Sequence, residues 1–290
     1  MPQNTINIFD THFHIWDPSA GAYTFLTDQH KKINRYFGVD DIRPSLEKFS
    51  VSKTILVQTW HSIDESKTYL NYAQKTDFIR GVVGWVDLTS RDVSDQIKDL
   101  KQSVGGSNLV SIRHLVHDED DPKWLLRSDV LKGLQIVCKE NLAFDLLIRE
   151  REIPSAIILA QKIPELRLIV DHIAKPRIIE KDFDNWHYFL SKLANTRKNI
   201  WCKISGITTE ASWTSTDDDQ FSGYIGAVIK MFGSDRCLYG SDWPVCLLAG
   251  RYERGLNILQ KEISCLKPFE QKNVFEMNAF RAYNLSRETE

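Results

Sequence analysis

A rhythm constrains this chain more than any single residue. Eight short runs rich in Ile, Val, Leu and Phe recur along its length, separated by longer stretches with apolar residues three and four apart. The runs fall at 6–14, 53–60, 79–88, 109–116, 143–148, 167–172, 200–206 and 237–243. Among the intervening stretches, 91–103, 128–140 and 153–163 read as amphipathic helices covering a sheet. Ser128 and Asp129 suit the start of the second of these, and Pro154 the start of the third, where a missing N–H does least harm. The tail FEQKNVFEMNAFRAYNL reads as a last helix packing Phe275, Met277, Ala279, Phe280 and Tyr283 on the body. Strands alternating with helices pair in parallel through right-handed crossovers. Eight repeats therefore predict a closed (β/α)8 TIM barrel of the α/β class, one domain over residues 1–290. An open doubly wound sheet is the rival, and the lack of a Gly-rich loop after the first run counts against it.

Composition narrows the function classes. Hydrophobic residues make up 42% and charged residues 26%, the usage of a soluble globular protein. Lys and Arg total 37 against 39 Asp and Glu, so no net field exists to hold nucleic acid or an anionic membrane surface. No apolar run approaches the roughly 20 residues that span a bilayer, and MPQNTINIFD lacks a basic flank and an apolar stretch. The expectation is a cytoplasmic protein acting on a small-molecule substrate, its oligomeric state open. Cys138, Cys202, Cys237, Cys246 and Cys265 are odd in number and widely spaced, which fits neither a disulfide framework nor a thiolate metal site. TSTDDDQ at 214–220 reads as a solvated loop.

In a closed barrel the chemistry gathers at the carboxyl ends of the strands. The first run ends in Asp10-Thr11-His12-Phe13-His14, where strand alternation sends Asp10, His12 and His14 to one face, open to the mouth. The sixth stops at Asp171-His172 and the eighth at Tyr239-Gly240-Ser241-Asp242, so His172 and Asp242 can converge on the two histidines. Arg113, at the end of the fourth run, suits a carbonyl, carboxylate or hydroxyl-rich substrate; the alternative is a surface ion pair with Asp118, Glu119 or Asp120. His114 has the opposite parity and faces the helical layer, while His117 can reach the mouth through its loop. Trp16, Trp60, Trp85 and Trp243 fall near strand ends. Of these, Trp60 and Trp85, with His61, are the expected substrate contacts.

DTHFHIWDP at 10–18, VDHIAKP at 170–176, LYGSDWP at 238–244 and the terminal NAFRAYNL resemble the amidohydrolase superfamily. The likeness is to its lactonase branch, whose members act on fuconolactone, rhamnonolactone and pyrone-dicarboxylate. Binuclear members carry a carboxylated Lys on the fourth strand and a His ligand on the fifth; here those places hold Ser111-Ile112-Arg113-His114 and Asp145-Leu146-Leu147-Ile148. The resemblance therefore implies at most one divalent ion, with His12, His14, His172 and Asp242 as a set suited to Zn²⁺. Metal-independent working stays open, because the branch includes members without metal. Lys203, in another family-like segment, reaches either the pocket or a neighbouring carboxylate. The implied activity is hydrolysis of a small sugar lactone, with Asp242 as general base and His12, His14 and His172 polarising the carbonyl directly or through the ion. A metal-dependent decarboxylase and a non-catalytic sugar-binding barrel are the alternatives.

Overall fold

The computed structural model describes residues 7–21 and 23–286. Ile6, the first residue of the first expected strand, and the rest of the amino terminus lie outside the described residues. The elements alternate as the rhythm requires: β1 (Ile8–Phe13), α1 (Val39–Lys48), β2 (Val51–Val57), α2 (Ile63–Lys75), β3 (Ile79–Gly84), α3 (Val93–Gln102), β4 (Leu109–His114) and α4 (Ser128–Lys139). The second half repeats the pattern with β5 (Ala143–Leu146), α5 (Ile153–Lys162), β6 (Leu168–Val170), α6 (Asp184–Thr196), β7 (Ile200–Ile204), α7 (Ser222–Phe232), β8 (Cys237–Tyr239) and α8 (Tyr252–Glu262). Neighbours pair in parallel in the order β1 to β8. β8 is too short to close the barrel within the sheet, so closure comes just past it. The Asp242 N–H donates to the His12 carbonyl at 2.8 Å, and the His14 N–H to that of Trp243 at 2.7 Å.

Each helix buries one stripe. In α3 the buried residues are Val93, Ile97 and Leu100, a spacing of four and three that holds one face against the sheet. Pro154 sits in the first turn of α5 as expected. The start of α4 differs: Arg127 occupies the cap, and Asp129 turns back to pair with its guanidinium at 2.7 Å instead of capping. The tail is helical as far as Ala282, as α9 (Pro268–Lys272), a π turn (Asn273–Met277) and α10 (Asn278–Ala282), and Tyr283 to Leu285 follow as a turn and coil. It buries Val274, Phe275, Ala279, Phe280 and Tyr283, whereas Met277 is only half-buried. The loop at 214–220 is largely exposed, with Asp218 and Asp219 paired to Arg254 and Lys261.

The barrel interior is tiered. Phe9, Ile55, Val57, Val83, Val110, Ala143, Ile169, Trp201 and Leu238 form an apolar floor, closed from below by Ala279, Phe280, Ala282 and Tyr283 of the tail. One step along the strands the lining becomes ionic. Lys203 is fully buried and lies 2.5 Å from Asp145 Oδ2 and 2.9 Å from Asp171 Oδ1. Arg113 Nη1 reaches Asp171 Oδ2 at 3.1 Å, and Ser111 and Tyr283 donate to Asp145. Two cations answer two carboxylates. Such pairing makes buried charge tolerable, since an unpaired ion in that medium costs several kcal/mol or more. The next tier is the mouth.

Candidate active site

β1, β6 and β8 end where the ionic tier stops, and their last residues leave the sheet to ring the mouth. His12, His14, His172 and Asp242 are all buried. The three Nε2 atoms stand 3.8, 3.5 and 3.9 Å from one oxygen, Asp242 Oδ1, and the Nε2 atoms of His12 and His14 are 3.1 Å apart. Second contacts orient the rings. His14 Nδ1 lies 2.7 Å from the Val57 carbonyl, which accepts its proton, and His172 Nδ1 lies 2.9 Å from Ser205 Oγ. The carbonyl fixes the His14 proton on Nδ1 and leaves its Nε2 lone pair to the mouth, while Ser205 can serve His172 as donor or acceptor.

His172 is aimed by an unusual backbone. His172, Ile173, Ala174 and Lys175 have φ of 52°, 50°, 59° and 46°, four successive left-handed residues without a glycine. Such a run costs roughly 1–2 kcal/mol per residue, and it is held from outside by the buried Trp186, whose Nε1 donates to the Ile173 carbonyl at 2.7 Å. Gly206 closes over the ring: a Cβ there would stand 2.7 Å from His172 Nδ1 and 3.0 Å from Asp242 Oδ2, so no larger residue fits.

Electrostatics follow from burial and neighbours. Burial holds the His12 imidazole well below its ordinary value, and the adjacent Lys203 adds to this. Burial lowers His172 to about 4 despite the nearby Asp242 carboxylate. For Asp242 burial acts upward, but His172, His14 and His12 outweigh it and hold the carboxyl well below the carboxylate range. At neutral pH the mouth is thus an ionised carboxylate facing neutral imidazoles.

The donor set fits one divalent ion. Ligand atoms of His12, His172 and Asp242 lie within 4.8 Å of one another, and His14 Nε2 is close to both His12 and Asp242. Donors about 2.1 Å from a tetrahedral ion stand about 3.4 Å apart, near the observed separations. A second ion would meet cations already in place: Arg113 Nη1 is 3.3 Å from His12 Nε2, and Lys203 Nζ is 3.0 Å from His12 Nδ1. No cysteine belongs to this group.

A cavity of about 360 Å³ opens on the cluster, lined by His14, Arg113, His172 and Asp242 together with Trp16, Phe25, His30, His117, Arg149 and Lys175. Arg113 is therefore no surface residue: it is buried, donates to the Gln58 carbonyl and pairs with Asp171 while facing the cavity. Four expectations are corrected. Asp10 does not open on the mouth, because three residues of β1 oppose two of β2 between Asp10 and Phe13, a bulge that breaks the alternation. Its carboxylate instead accepts from the Ser241 and His12 N–H groups and from Tyr252 Oη, and burial raises it to about 6. Trp60 lines, with Tyr23 and Tyr72, a neighbouring cavity on the other side of Trp16 from Asp242. Trp85 and His61 belong to a ring stack: Trp85 on His61 at 5.5 Å, His61 on His114 at 4.2 Å, and His114 on Trp124 at 4.1 Å. Within it Trp85 Nε1 donates to His114 Nδ1, and His61 Nε2 accepts from the Leu115 N–H.

Sequence reasoning missed Phe25 and His30, carried by the long β1–α1 connection, which has no period to read. It also missed Arg149, just past the β5 run, whose only signal was that position.

The amidohydrolase family profile matches residues 9–285, nearly the whole chain. The chain belongs to the amidohydrolase family. This amidohydrolase is similar to an L-fucono-1,5-lactonase of Burkholderia ambifaria, 33% identical over 96% of each chain. It is also similar to an L-fucono-1,5-lactonase of Burkholderia multivorans, 28% identical over 95% of each. A crystal structure of an amidohydrolase from Burkholderia multivorans with bound zinc superposes with a TM-score of 0.91 at 27% identity, covering 97% of this chain and all of the other. Among the described residues no helix is long and apolar enough to cross a membrane.

Proposed function

We propose that this chain hydrolyses a sugar lactone, water adding to the ring carbonyl and the ring C–O bond breaking to give the open hydroxy acid. The observation that carries the reading is the convergence of three imidazole Nε2 atoms on one Asp242 oxygen at the floor of a cavity of about 360 Å³. The L-fucono-1,5-lactonases of the two Burkholderia species support a six-membered aldono-lactone as the first substrate to try.

Asp242, held well below the carboxylate range and so ionised at neutral pH, takes the proton of the attacking water. Arg113, fixed by Asp171 and Gln58, offers its guanidinium to the ring or to the developing negative charge. Trp16 and Phe25 supply apolar faces that exclude bulk water around the ring. His12, His14, His172 and Asp242 would hold one divalent ion, with Zn²⁺ the best match to nitrogen and carboxylate donors; when bound it would polarise the carbonyl and acidify water. The solved relative with bound zinc supports that assignment.

The test is a pH-indicator screen of freshly prepared aldono-1,4- and 1,5-lactones, with and without a chelator. The expected result is acid release on a subset of lactones; release of carbon dioxide from carboxylic acids, with no lactone opened, would overturn the reading. Loss of activity on chelation, restored by zinc, is the outcome expected for the ion.

A further inference from the structure

The connection between β1 and α1 brings His30 to the cavity wall, and the chain uses every polar atom of that residue but one. Its N–H donates to the Thr27 carbonyl at 2.8 Å, and its carbonyl accepts from the Ile33 N–H at 2.9 Å. Its Nδ1 turns back on Thr27, lying 3.3 Å from the backbone nitrogen and 2.9 Å from Oγ1. Its Nε2 has no partner among the described residues and, in a half-buried ring, stays accessible. Nε2 is thus the one polar atom His30 can present to the cavity.

The contacts of Nδ1 decide where the proton sits. A backbone N–H can only donate, and that of Thr27, shared with the Phe25 carbonyl at 2.9 Å, also points at Nδ1. With a proton on Nδ1, two N–H groups would face each other. With a lone pair there, Nδ1 accepts from the Thr27 N–H and hydroxyl together. Burial holds the imidazole below its ordinary value, so at neutral pH the ring carries one proton, and it sits on Nε2. Neighbouring rings brace this orientation. Trp213, anchored by its Nε1 donating to the Thr209 carbonyl at 3.0 Å, packs on His30 at 5.5 Å between centroids, and Phe25 meets it at 6.5 Å.

We propose that His30 is a specificity-determining residue whose Nε2–H donates a hydrogen bond to one hydroxyl oxygen of the substrate. The inference rests on the reading of the cavity as a lactone site and deepens it. The reacting carbonyl belongs with Asp242, and three other imidazoles, not His30, reach that carboxylate. The acceptor is therefore an oxygen elsewhere on the sugar ring, beside the apolar Phe25. A hydroxyl there exchanges one water for a fixed donor, whereas a methylene in its place strips the N–H of water and gives nothing back.

The experiment measures, by calorimetry on the full chain, the binding of lactams that are not turned over: a hexono-1,5-lactam and its monodeoxy analogues, each lacking one hydroxyl. His30→Phe keeps a ring against Trp213 and should weaken the parent lactam by about 3- to 10-fold, the worth of one neutral hydrogen bond. One monodeoxy analogue should bind wild type and His30→Phe alike, which assigns the bond to that hydroxyl. His30→Gln, whose amide N–H falls near the Nε2 position, should recover part of the loss. Nitrogen NMR of the ligand-free chain should place the His30 proton on Nε2, and circular dichroism checks that each variant is folded. A loss of less than about two-fold in His30→Phe, equal losses for the parent and every analogue, or a proton on Nδ1 overturns the inference. The same pattern in a chain that turns over no lactone would instead refute the proposed reaction and leave the role of His30 standing.

Discussion

Two groups of imidazoles stand beside each other at the carboxyl ends of the strands, and they are built to opposite ends. In the mouth, the Nε2 atoms of His12, His14 and His172 converge on a single carboxylate oxygen, that of His12 also meeting the Arg113 guanidinium at 3.3 Å. In the neighbouring stack, His114 takes the Trp85 N–H on Nδ1 and reaches Glu119 at 2.7 Å with Nε2, and His61 is spent on the Leu115 backbone. Residue type and position at a strand end are the same in both. The difference is whether the chain itself uses up the bonding capacity. Where it does, the residues are scaffold; where lone pairs converge unanswered, there is a place for a ligand, an ion or a reacting water.

The largest effect that sharpens this contrast is expected at Asp242. Asp242→Asn keeps the shape but cannot take a proton at neutral pH, so kcat on the best lactone should fall by about 10²- to 10⁴-fold, with substrate affinity largely kept. Steady-state kinetics on protein shown to be folded checks it; near-normal turnover would leave His172 as the next candidate.

Beneath the mouth, Lys203→Met should show that the ionic tier is scaffold as well. Removing Lys203 leaves Asp145 without a cation and Asp171 with Arg113 alone in a buried medium, and loss of one partner of such a pair costs about 3–5 kcal/mol. Denaturant unfolding measures this as a lowered midpoint. An unchanged midpoint would mean that the carboxylates find other partners.

Acid should reveal the stack. Burial holds His61 and His114 at about 4 in the folded chain, against 6.5 for a free imidazole. Between those values the unfolded state binds more protons, so stability is full above pH 6.5 and falls as pH drops toward 4. Tm measured across that window should decline, and His114→Phe should flatten the slope. A variant with the wild-type slope would remove the stack as a source.

The smallest effects are expected where sequence suggested substrate contacts that the fold places elsewhere. Trp60→Phe and Trp85→Phe should leave kcat/KM within about three-fold, since neither ring lines the cavity with Asp242. A larger change in either would reopen the aromatic-wall reading for that residue.

Much of this was legible in the sequence, for reasons of period. Strand and helix spacing differ, so eight alternations could be read directly, and the same spacing put His172 and Asp242 at the ends of β6 and β8, where they meet His12 and His14. The losses have local physical causes. One extra residue in β1 reversed the side for Asp10, and no hydrophobic pattern announces a bulge. Trp60, His61 and Trp85 follow the ends of their strands, where the path belongs to loops and ring packing. Phe25 and His30 reach the cavity from a connection with no periodicity. Lys203 was readable only as one of two options, and the structure gives it to Asp145 and Asp171.

On this reading the mouth opens a lactone ring, while Lys203, its carboxylates and the ring stack hold the mouth in place. The most direct measurement is a pH-stat assay of the wild-type chain on freshly prepared L-fucono-1,5-lactone, corrected for spontaneous opening, with evolved carbon dioxide followed in parallel. The account predicts enzyme-dependent release of one acid equivalent per lactone consumed and no carbon dioxide. Acid release no faster than the spontaneous rate, across this and the other aldono-lactones, would contradict it.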